Sequence, residues 1–436
     1  MCCKQFALSA VGHQMLTPKY VAKRIRFRNG ERHSVLQIRN GLPVHEVTLY
    51  LDKYRKKGRA ANTIHFVCLT LALLYRELDR AKVDLLGRLA KGQFLDIPEL
   101  NRLASAAQFR VDDLDEEVAD NGTPNVINLR RVRLRRKGGE AERNAVDVAT
   151  QASRLRYMAD YLAFLSDYVG SSFPASERET LKAESKHALI AFRANIPEVS
   201  KRAKLNARVG LTHDEEDRLM AIVHPDSPDN PWERRFVRRR NWLIVVLLLA
   251  TGMRRGELLG LQIGDLHSNQ PKLRIIRRAD AAEDLRRIQP NTKTYDREIE
   301  LKPAIMKRLW NFINTERRAI KAARKIPQIF VSDEGEALSP SSIDKLFAQL
   351  RTACPGLSVR MTSHVMRHTW NDRFSEQAEA LGLSDAVEEK ARNEQQGWSD
   401  NSAMAATYTR RHTARKGRQV ALKLQERLDA QLGQDE

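Results

Sequence analysis

The sequence predicts a mainly α-helical protein with a small antiparallel β-sheet, divided into two domains. Three observations carry that prediction. Residues Thr63 to Tyr75 are apolar over much of a helical circumference, which suits a central helix in a small bundle. Two short strand candidates, Leu273 to Arg277 and Arg297 to Leu301, flank a polar insertion from Arg278 to Pro290 and can pair as antiparallel neighbours. Between the two regions the texture changes at Gly210-Leu211-Thr212-His213-Asp214-Glu215. Thr212 with Glu215 three residues on is a capping-box pattern that opens a new helix, so the boundary is expected between residues 200 and 210.

In chain order, residues 1–42 form an N-terminal segment. Arg24 to Ile38 alternate around Asn29-Gly30, a dipeptide that favours a type I′ hairpin turn. A packing hairpin and an accessory DNA-binding arm are both open readings, because Arg24, Arg26, Arg28 and Arg32 crowd this stretch. Residues 43–205 are largely helical: Val44 to Tyr54, the apolar helix from Thr63, and a helix around Leu155, Met158, Leu162 and Leu165. A basic insertion near 128–143 interrupts them, with Arg130, Arg131, Arg133, Arg135, Arg136 and Lys137 in close succession. A charge run is usually a solvated face. This one carries a single sign and lies between two helices, so contact with a phosphate backbone is expected. Residues 206–436 hold the strand candidates, a third one at Gln328 to Val331, and a C-terminal stripe of Val420, Leu424, Leu428 and Leu432 at i, i+4 intervals. That spacing predicts an amphipathic helix.

The 436 residues carry a formal net charge of +20. Self-repulsion of that size usually reflects a polyanionic partner, with nucleic acid the first candidate and an anionic membrane surface the second. The longest apolar stretch, Trp242 to Ala250, falls far short of the roughly 20 residues a bilayer span needs. The N-terminal MCCKQFALSAVGHQML is too poor in apolar character for a secretory signal. Four cysteines occur: Cys2 and Cys3 adjacent, Cys68 in an apolar stripe, and Cys354 alone. They make neither a disulfide framework nor a zinc spacing. A cytoplasmic protein is expected.

Several residues of the second domain suit a phosphodiester. Arg254 follows Thr251-Gly252, where glycine lets the backbone turn sharply. A planar guanidinium holds two phosphate oxygens at once, and Arg255 is its chemical equal. Glu257 shares a helical face with Arg254 and can hold a basic partner in place. His364 and Arg367 lie at i, i+3 on one helix face, with Thr362 or Ser363 as N-cap and the helix dipole adding to an anion's attraction. His368 is directed about 100° away from Arg367. Lys293, in Asn291-Thr292-Lys293-Thr294 before a strand, can donate a proton to a leaving oxygen. Trp398 offers a single indole N–H, for a phosphate oxygen or as a core anchor. Tyr408 follows ten residues later. A phenol, with a pKa near 10, needs help to act as a nucleophile, and crowded guanidinium groups supply it.

In order and local context, these residues resemble the tyrosine recombinase (phage integrase) family. Its signature runs TGxRxxE, a hairpin lysine, HxxR, a glycine followed by His or Trp, and a tyrosine. The matches here are Thr251-Gly252-Met253-Arg254-Arg255-Gly256-Glu257, Lys293, His364-Val365-Met366-Arg367, Gly397-Trp398 and Tyr408. The resemblance favours Arg254 over Arg255 and His364 over His368. It covers about residues 210 to 430 and extends less specifically over 43 to 170, with Ala61-Asn62-Thr63-Ile64 at a typical place. The chain departs from the pattern in carrying Trp398 at the His/Trp position and one extra residue before the tyrosine. It also has the long insertion after the first strand, and Glu300 where many members have proline.

The resemblance implies a helical core-binding domain and a mixed α+β catalytic domain. It implies Tyr408 as nucleophile, Arg254 and Arg367 as phosphate clamps, His364 and Trp398 assisting, and Lys293 as proton donor, with no metal or other cofactor. It implies double-stranded DNA as partner and a homotetramer on synapsed DNA, with a role for accessory proteins left open, and no membrane. Association with the nucleoid when bound to DNA, and integration or excision of a mobile element, follow from the same source. Two rivals remain: relaxation of DNA in the manner of a type IB topoisomerase, and a DNA-binding regulator without chemistry.

Overall fold

A computed structural model describes residues 19–110, 145–198, 209–290 and 292–432, with residues 427–432 as backbone helix only. The chain divides into two compact units, Met1–Arg202 and Ala203–Glu436.

The first unit begins with an antiparallel hairpin, β1 (Tyr20–Arg26) and β2 (Arg32–Ile38), whose register pairs Tyr20 with Ile38 and Arg26 with Arg32. The loop therefore spans Phe27 to Glu31, longer than the two-residue turn that Asn29-Gly30 suggests. The backbone hydrogen bonds explain the difference. Gly30 N–H donates to Phe27 O at 3.1 Å and Phe27 N–H to Glu31 O at 2.8 Å, with Gly30 at φ 90°, so the dipeptide closes a wider turn. Arg32, Ser34 and Leu36 form the buried face of β2. Ser34 Oγ meets His65 Nδ1 at 3.0 Å and Arg24 donates to Asn62 Oδ1 at 3.0 Å, fastening the hairpin to α2 (Ala61–Arg80). Arg26 and Arg28 stay exposed.

Against α2 pack α1 (His45–Lys56), α4 (Ile97–Ala106) and α5 (Val148–Gly170), while α3 (Leu85–Leu89) and α6 (Ala175–Ala194) pack on α5. Ile64, Val67, Cys68, Leu71 and Leu74 are fully buried along α2, as are Leu155, Met158, Leu162 and Leu165 along α5. Between them the hydroxyls of Tyr75 and Tyr161 share a hydrogen bond of 2.6 Å, which satisfies two buried polar groups at once. The basic run Arg130, Arg131, Arg133, Arg135, Arg136 and Lys137 lies outside the described residues.

The second unit opens at α7 (His213–Val223), where Thr212 and Glu215 exchange both hydrogen bonds of a capping box. It continues with α8 (Arg235–Thr251), α9 (Arg255–Gly260), the strands β3 (Lys272–Ile275) and β4 (Arg297–Glu300), α10 (Pro303–Phe312), α11 (Pro340–Ala353), α12 (Ser363–Ala380), α13 (Asp385–Gln396) and α14 (Ala403–Leu432). Leu273 pairs with Ile299 in the antiparallel ladder, and both are buried. Gln328 to Val331 is not a strand. Gln328 and Val331 make only isolated bridges, to Gln262 and Ala337. The buried Arg317 guanidinium takes the Gln328 and Ile329 carbonyls at 3.1 Å, using acceptors that a ladder would need.

The Arg278–Pro290 insertion is fastened down by charge. Arg278 pairs with the buried Asp265, and Arg286 donates to Leu259 O at 3.0 Å and Leu338 O at 2.7 Å. On α14, Val420 and Leu424 are 59% and 73% exposed, so this part of the apolar stripe faces away from its own unit. No helix among the described residues is long and apolar enough to cross a membrane.

Helix α12 is the post on which the unit is assembled. Leu211 N–H donates to Thr369 Oγ1 at 2.9 Å, Gly210 N–H to Asp372 Oδ2 at 3.0 Å, and Trp370 Nε1 to Ala250 O at 3.1 Å. A β-carbon at Gly210 would lie 2.5 Å from Thr369 Cα. Gly210→Ala should therefore cost roughly 1–3 kcal/mol of stability through overpacking. Urea unfolding measures this, and an unchanged midpoint would contradict the close approach.

Candidate active site

Helix α8 ends at Gly252, whose φ of 61° is left-handed. A side chain there would be strained, and its β-carbon would lie 2.7 Å from the Trp370 indole. The sharp turn directs the Gly252 carbonyl toward α12, where Arg367 Nη1 donates to it at 2.6 Å. The same turn sets Arg254 at the start of α9.

One turn on, the Glu257 side chain is completely buried. It accepts from Arg254 N–H at 2.9 Å, Thr294 Oγ1 at 2.7 Å and Arg297 Nη2 at 2.9 Å, while Arg254 Nη1 lies 3.4 Å away. Burial opposes its ionisation, but Arg297 and these hydrogen bonds outweigh it and hold the carboxyl below the ordinary glutamate value. Arg297 also donates to Gln395 O at 2.8 Å, and Tyr295 N–H donates to Gly397 O at 3.0 Å. Gly397 has φ 60°, and its β-carbon would approach Tyr295 O to 2.8 Å. The β-hairpin and the Gly397-Trp398 loop are thus clasped backbone to backbone.

This clasp sets the Trp398 indole between the guanidinium groups and the tyrosine. Arg367 Cζ lies 5.0 Å and Arg254 Cζ 5.9 Å from its ring centre. The Tyr408 ring stacks on it at 6.0 Å, the planes within 7°. Two buried donors here, Arg367 Nη2 and Trp398 Nε1, have no hydrogen-bond partner among the described residues. Burial, and secondarily Arg254, push the Arg367 guanidinium down to about 9. Unsatisfied buried donors beside uncompensated positive charge are met well by an oxyanion.

Tyr408 is buried, and its hydroxyl lies 3.0 Å from His368 Nδ1. Burial raises the phenol's pKa, while Arg367, Arg411 and Arg254 pull it back. Arg411 and Arg392 lie 5.0 Å and 5.7 Å from its ring centre. Arg392, fully buried and paired with Glu388, donates to Ala405 O and Thr409 Oγ1, each at 3.2 Å. It ties down the turn of α14 that carries Tyr408.

Of the residues singled out in the sequence, Arg254, Glu257, Arg367, Trp398 and Tyr408 meet in one cluster. His364 lies one turn before Arg367, exposed, after the Thr362 N-cap. It lines an open cleft of about 870 Å³ with Arg255, Arg360 and Thr362. Arg255 turns outward to pair with Asp344 at 2.6 Å. Lys293 is exposed; its neighbour Thr294 fixes its loop against Glu257. The sequence pattern did not single out Arg297 or Arg392, and it set His368 aside in favour of His364. Arg297 was the basic partner that Glu257 called for. His368 points off the Arg367 face, and that is the direction in which α14 lies. Arg392 carried no local signal.

Residues 210–415 match the family model described as "Phage integrase family". The tyrosine recombinase XerS of two Lactococcus lactis subsp. cremoris strains is 27% identical over 149 residues, 34% of this chain and 37% of that protein. The match thus spans little more than a third of those relatives' length. Among solved structures, the XerH recombinase bound to a palindromic difH substrate is similar at 15% identity and a TM-score of 0.41, covering 75% of this chain and 84% of that one. The Tn1549 transposon integrase in complex with transposon right end DNA is similar at 17% and 0.37, covering 71% and 98%.

Glu257→Gln leaves Arg297 buried without a counter-charge, a loss of about 3–5 kcal/mol at neutral pH. Because the folded carboxyl sits below 4.5, its contribution is complete above that pH and is lost as pH falls through the folded value. Unfolding curves of wild type and variant should therefore converge in acid. Parallel curves down to pH 3 would show that Glu257 is not ionised in the fold.

Proposed function

Since residues 210–415 belong to the phage integrase family, we propose that the protein is a site-specific recombinase that cuts and rejoins double-stranded DNA through a 3′-phosphotyrosine. The supporting observation is the convergence of Arg254, Arg367, Trp398 and Tyr408, with the two donors Arg367 Nη2 and Trp398 Nε1 unsatisfied. Tyr408 Oη attacks the scissile phosphorus, and the bond to the 5′-oxygen breaks. Arg254 and Arg367 hold the non-bridging oxygens and stabilise the charge that gathers on them. Trp398 N–H adds a hydrogen bond and His364 assists from the cleft at the start of α12. Lys293 protonates the departing 5′-oxygen. Attack of a 5′-hydroxyl on the phosphotyrosine reverses these steps, so the bond energy is conserved.

In this reading residues 206–436 are the catalytic domain and 43–205 a helical DNA-binding domain. The basic insertion near 128–143 supplies phosphate contacts. Four protomers exchange strands in pairs on synapsed DNA, in the cytoplasm and at the nucleoid, to integrate or excise a mobile element. XerH and the Tn1549 integrase are described as bound to DNA, which accords with this partner.

A suicide duplex nicked near the cleavage site tests the chemistry. Wild type should form a covalent protein–DNA adduct and Tyr408→Phe none, while Arg367→Lys should slow adduct formation by about 10²–10³-fold. Adduct from the phenylalanine variant would remove Tyr408 as nucleophile. Supercoil relaxation by a single protomer on random DNA would instead favour a topoisomerase. Replacing Arg130, Arg131, Arg133 and Arg135 by alanine should flatten the log–log salt dependence of DNA binding, by about 0.9 for each phosphate that is no longer neutralised. An unchanged slope would rule these arginines out as phosphate ligands.

A further inference from the structure

Nucleophilic attack requires Tyr408 to lose its proton, and neither Lys293 nor the guanidinium groups accept it, because all of them are donors. His364 sits in the cleft at the exposed start of α12. Among the described residues, His368 is a side-chain base set on the phenol oxygen, with Nδ1 at 3.0 Å from Tyr408 Oη and the ring centres 5.7 Å apart. We infer that His368 is the general base that activates Tyr408, and the acid that returns the proton on religation. This rests on the reading of Tyr408 as nucleophile.

The geometry fits the step. His368 is half-buried on the rigid helix α12, one residue after Arg367. The attacking oxygen is therefore held by the same element that holds a phosphate-binding guanidinium. With Nε2 protonated, Nδ1 accepts the phenolic hydrogen bond. As the Oη–P bond forms, the Tyr408 O–H bond breaks and its proton passes to Nδ1, giving an imidazolium. The bond from phosphorus to the 5′-oxygen breaks, and that oxygen takes a separate proton from Lys293. On religation the 5′-hydroxyl attacks and returns its proton to the Lys293 amine, Tyr408 Oη departs, and His368 gives the phenol its proton back. No further reactant is needed. Charged groups around this pair come from four segments: Arg367 and Asp372 on α12, Arg392 on α13, Arg411 on α14, and Arg254 at the start of α9. Arg411 is paired with Asp372, and Arg392 with Glu388. Arg411 and Arg392 border the Tyr408 ring and stabilise the phenolate as it forms.

The test is single-turnover adduct formation on the nicked suicide duplex, with full-length protein at DNA saturation. His368→Ala should slow the step by roughly 10²–10⁴-fold, the usual contribution of a general base, with DNA affinity and unfolding midpoint unchanged. Free imidazole, or a pH high enough to ionise the phenol unaided, should restore much of the rate. A substrate with sulfur in place of the scissile 5′-oxygen, whose leaving group needs no proton, should rescue Lys293→Ala but not His368→Ala. A wild-type rate in His368→Ala overturns the assignment. So does a slow rate that neither imidazole nor alkali restores, because His368 would then only support the fold. If Tyr408→Phe still forms adduct, the nucleophile itself is misassigned, and the failure lies with the reading of the site rather than with its base.

Discussion

The second unit depends on one buried carboxylate. Glu257, with its side chain completely excluded from solvent, gathers the Arg254 backbone N–H, the Thr294 hydroxyl and the Arg297 guanidinium. Burying a carboxylate is costly unless its lone pairs are filled, and here three donors from two separate chain segments fill them. The consequence is positional. Helix α9 presents Arg254, the hairpin presents Lys293 from the residue before Thr294, and Arg297 reaches on to the Gln395 carbonyl at the end of α13. One ionised group thus indexes three of the segments that surround the site.

A second constraint is the excess of positive charge that this clasp leaves in place. Glu257 compensates Arg297 closely and Arg254 more distantly. Arg367, well buried, has among the described residues a backbone carbonyl as its hydrogen-bond acceptor; Arg254 repels it, and Glu257 offsets this without a direct ion pair. Such an arrangement lowers the stability of the isolated protein, since an unpaired buried charge is expensive. In the proposed reaction an entering phosphate would offset that cost, because the anion would fill donors that are already aimed. Preorganised donors of this kind act on the charge that develops during reaction without reorganising. The same groups also lower the cost of ionising Tyr408, whose burial works in the opposite direction.

Much of this was legible in the sequence, and the reasons differ by residue. The capping box at Thr212 and Glu215 was readable because it is a local exchange of hydrogen bonds. The pairing of Leu273 with Ile299 was readable because both segments are short, apolar on one face and separated by polar chain. Arg254, Arg367, Trp398 and Tyr408 could be picked out by their order. The stretch Gln328 to Val331 read as a strand because its residue types suit one. The distant Arg317 takes its carbonyls, and no local pattern announces that. The width of the N-terminal turn was likewise set by backbone hydrogen bonds on both sides of Asn29-Gly30. Arg392 was invisible for a similar reason. A fully buried arginine looks like any helical surface arginine until Glu388, Ser375 and α14 are seen around it.

The placement of Tyr408 follows from where α14 is anchored. Its first turns are held from below by Arg392 through Ala405 and Thr409, and from the side by the Arg411–Asp372 pair. Farther along, Val420 and Leu424 lie open to solvent. Beyond that anchor His412 and Lys416 pair with Glu379, and Arg415 with Glu376, so α14 is bound to α12 for two further turns after Tyr408. The Trp398 ring, stacked on the tyrosine and backed by two guanidinium groups, then sets how far the phenol can shift before it leaves the site. The hairpin clasp that holds Trp398 and the buried arginine that holds α14 therefore converge on the position of a single oxygen. Glycine is required at residue 397 for the same reason. Any β-carbon there would separate the hairpin from the loop by displacing the Tyr295 carbonyl, and with it the surface on which the tyrosine rests.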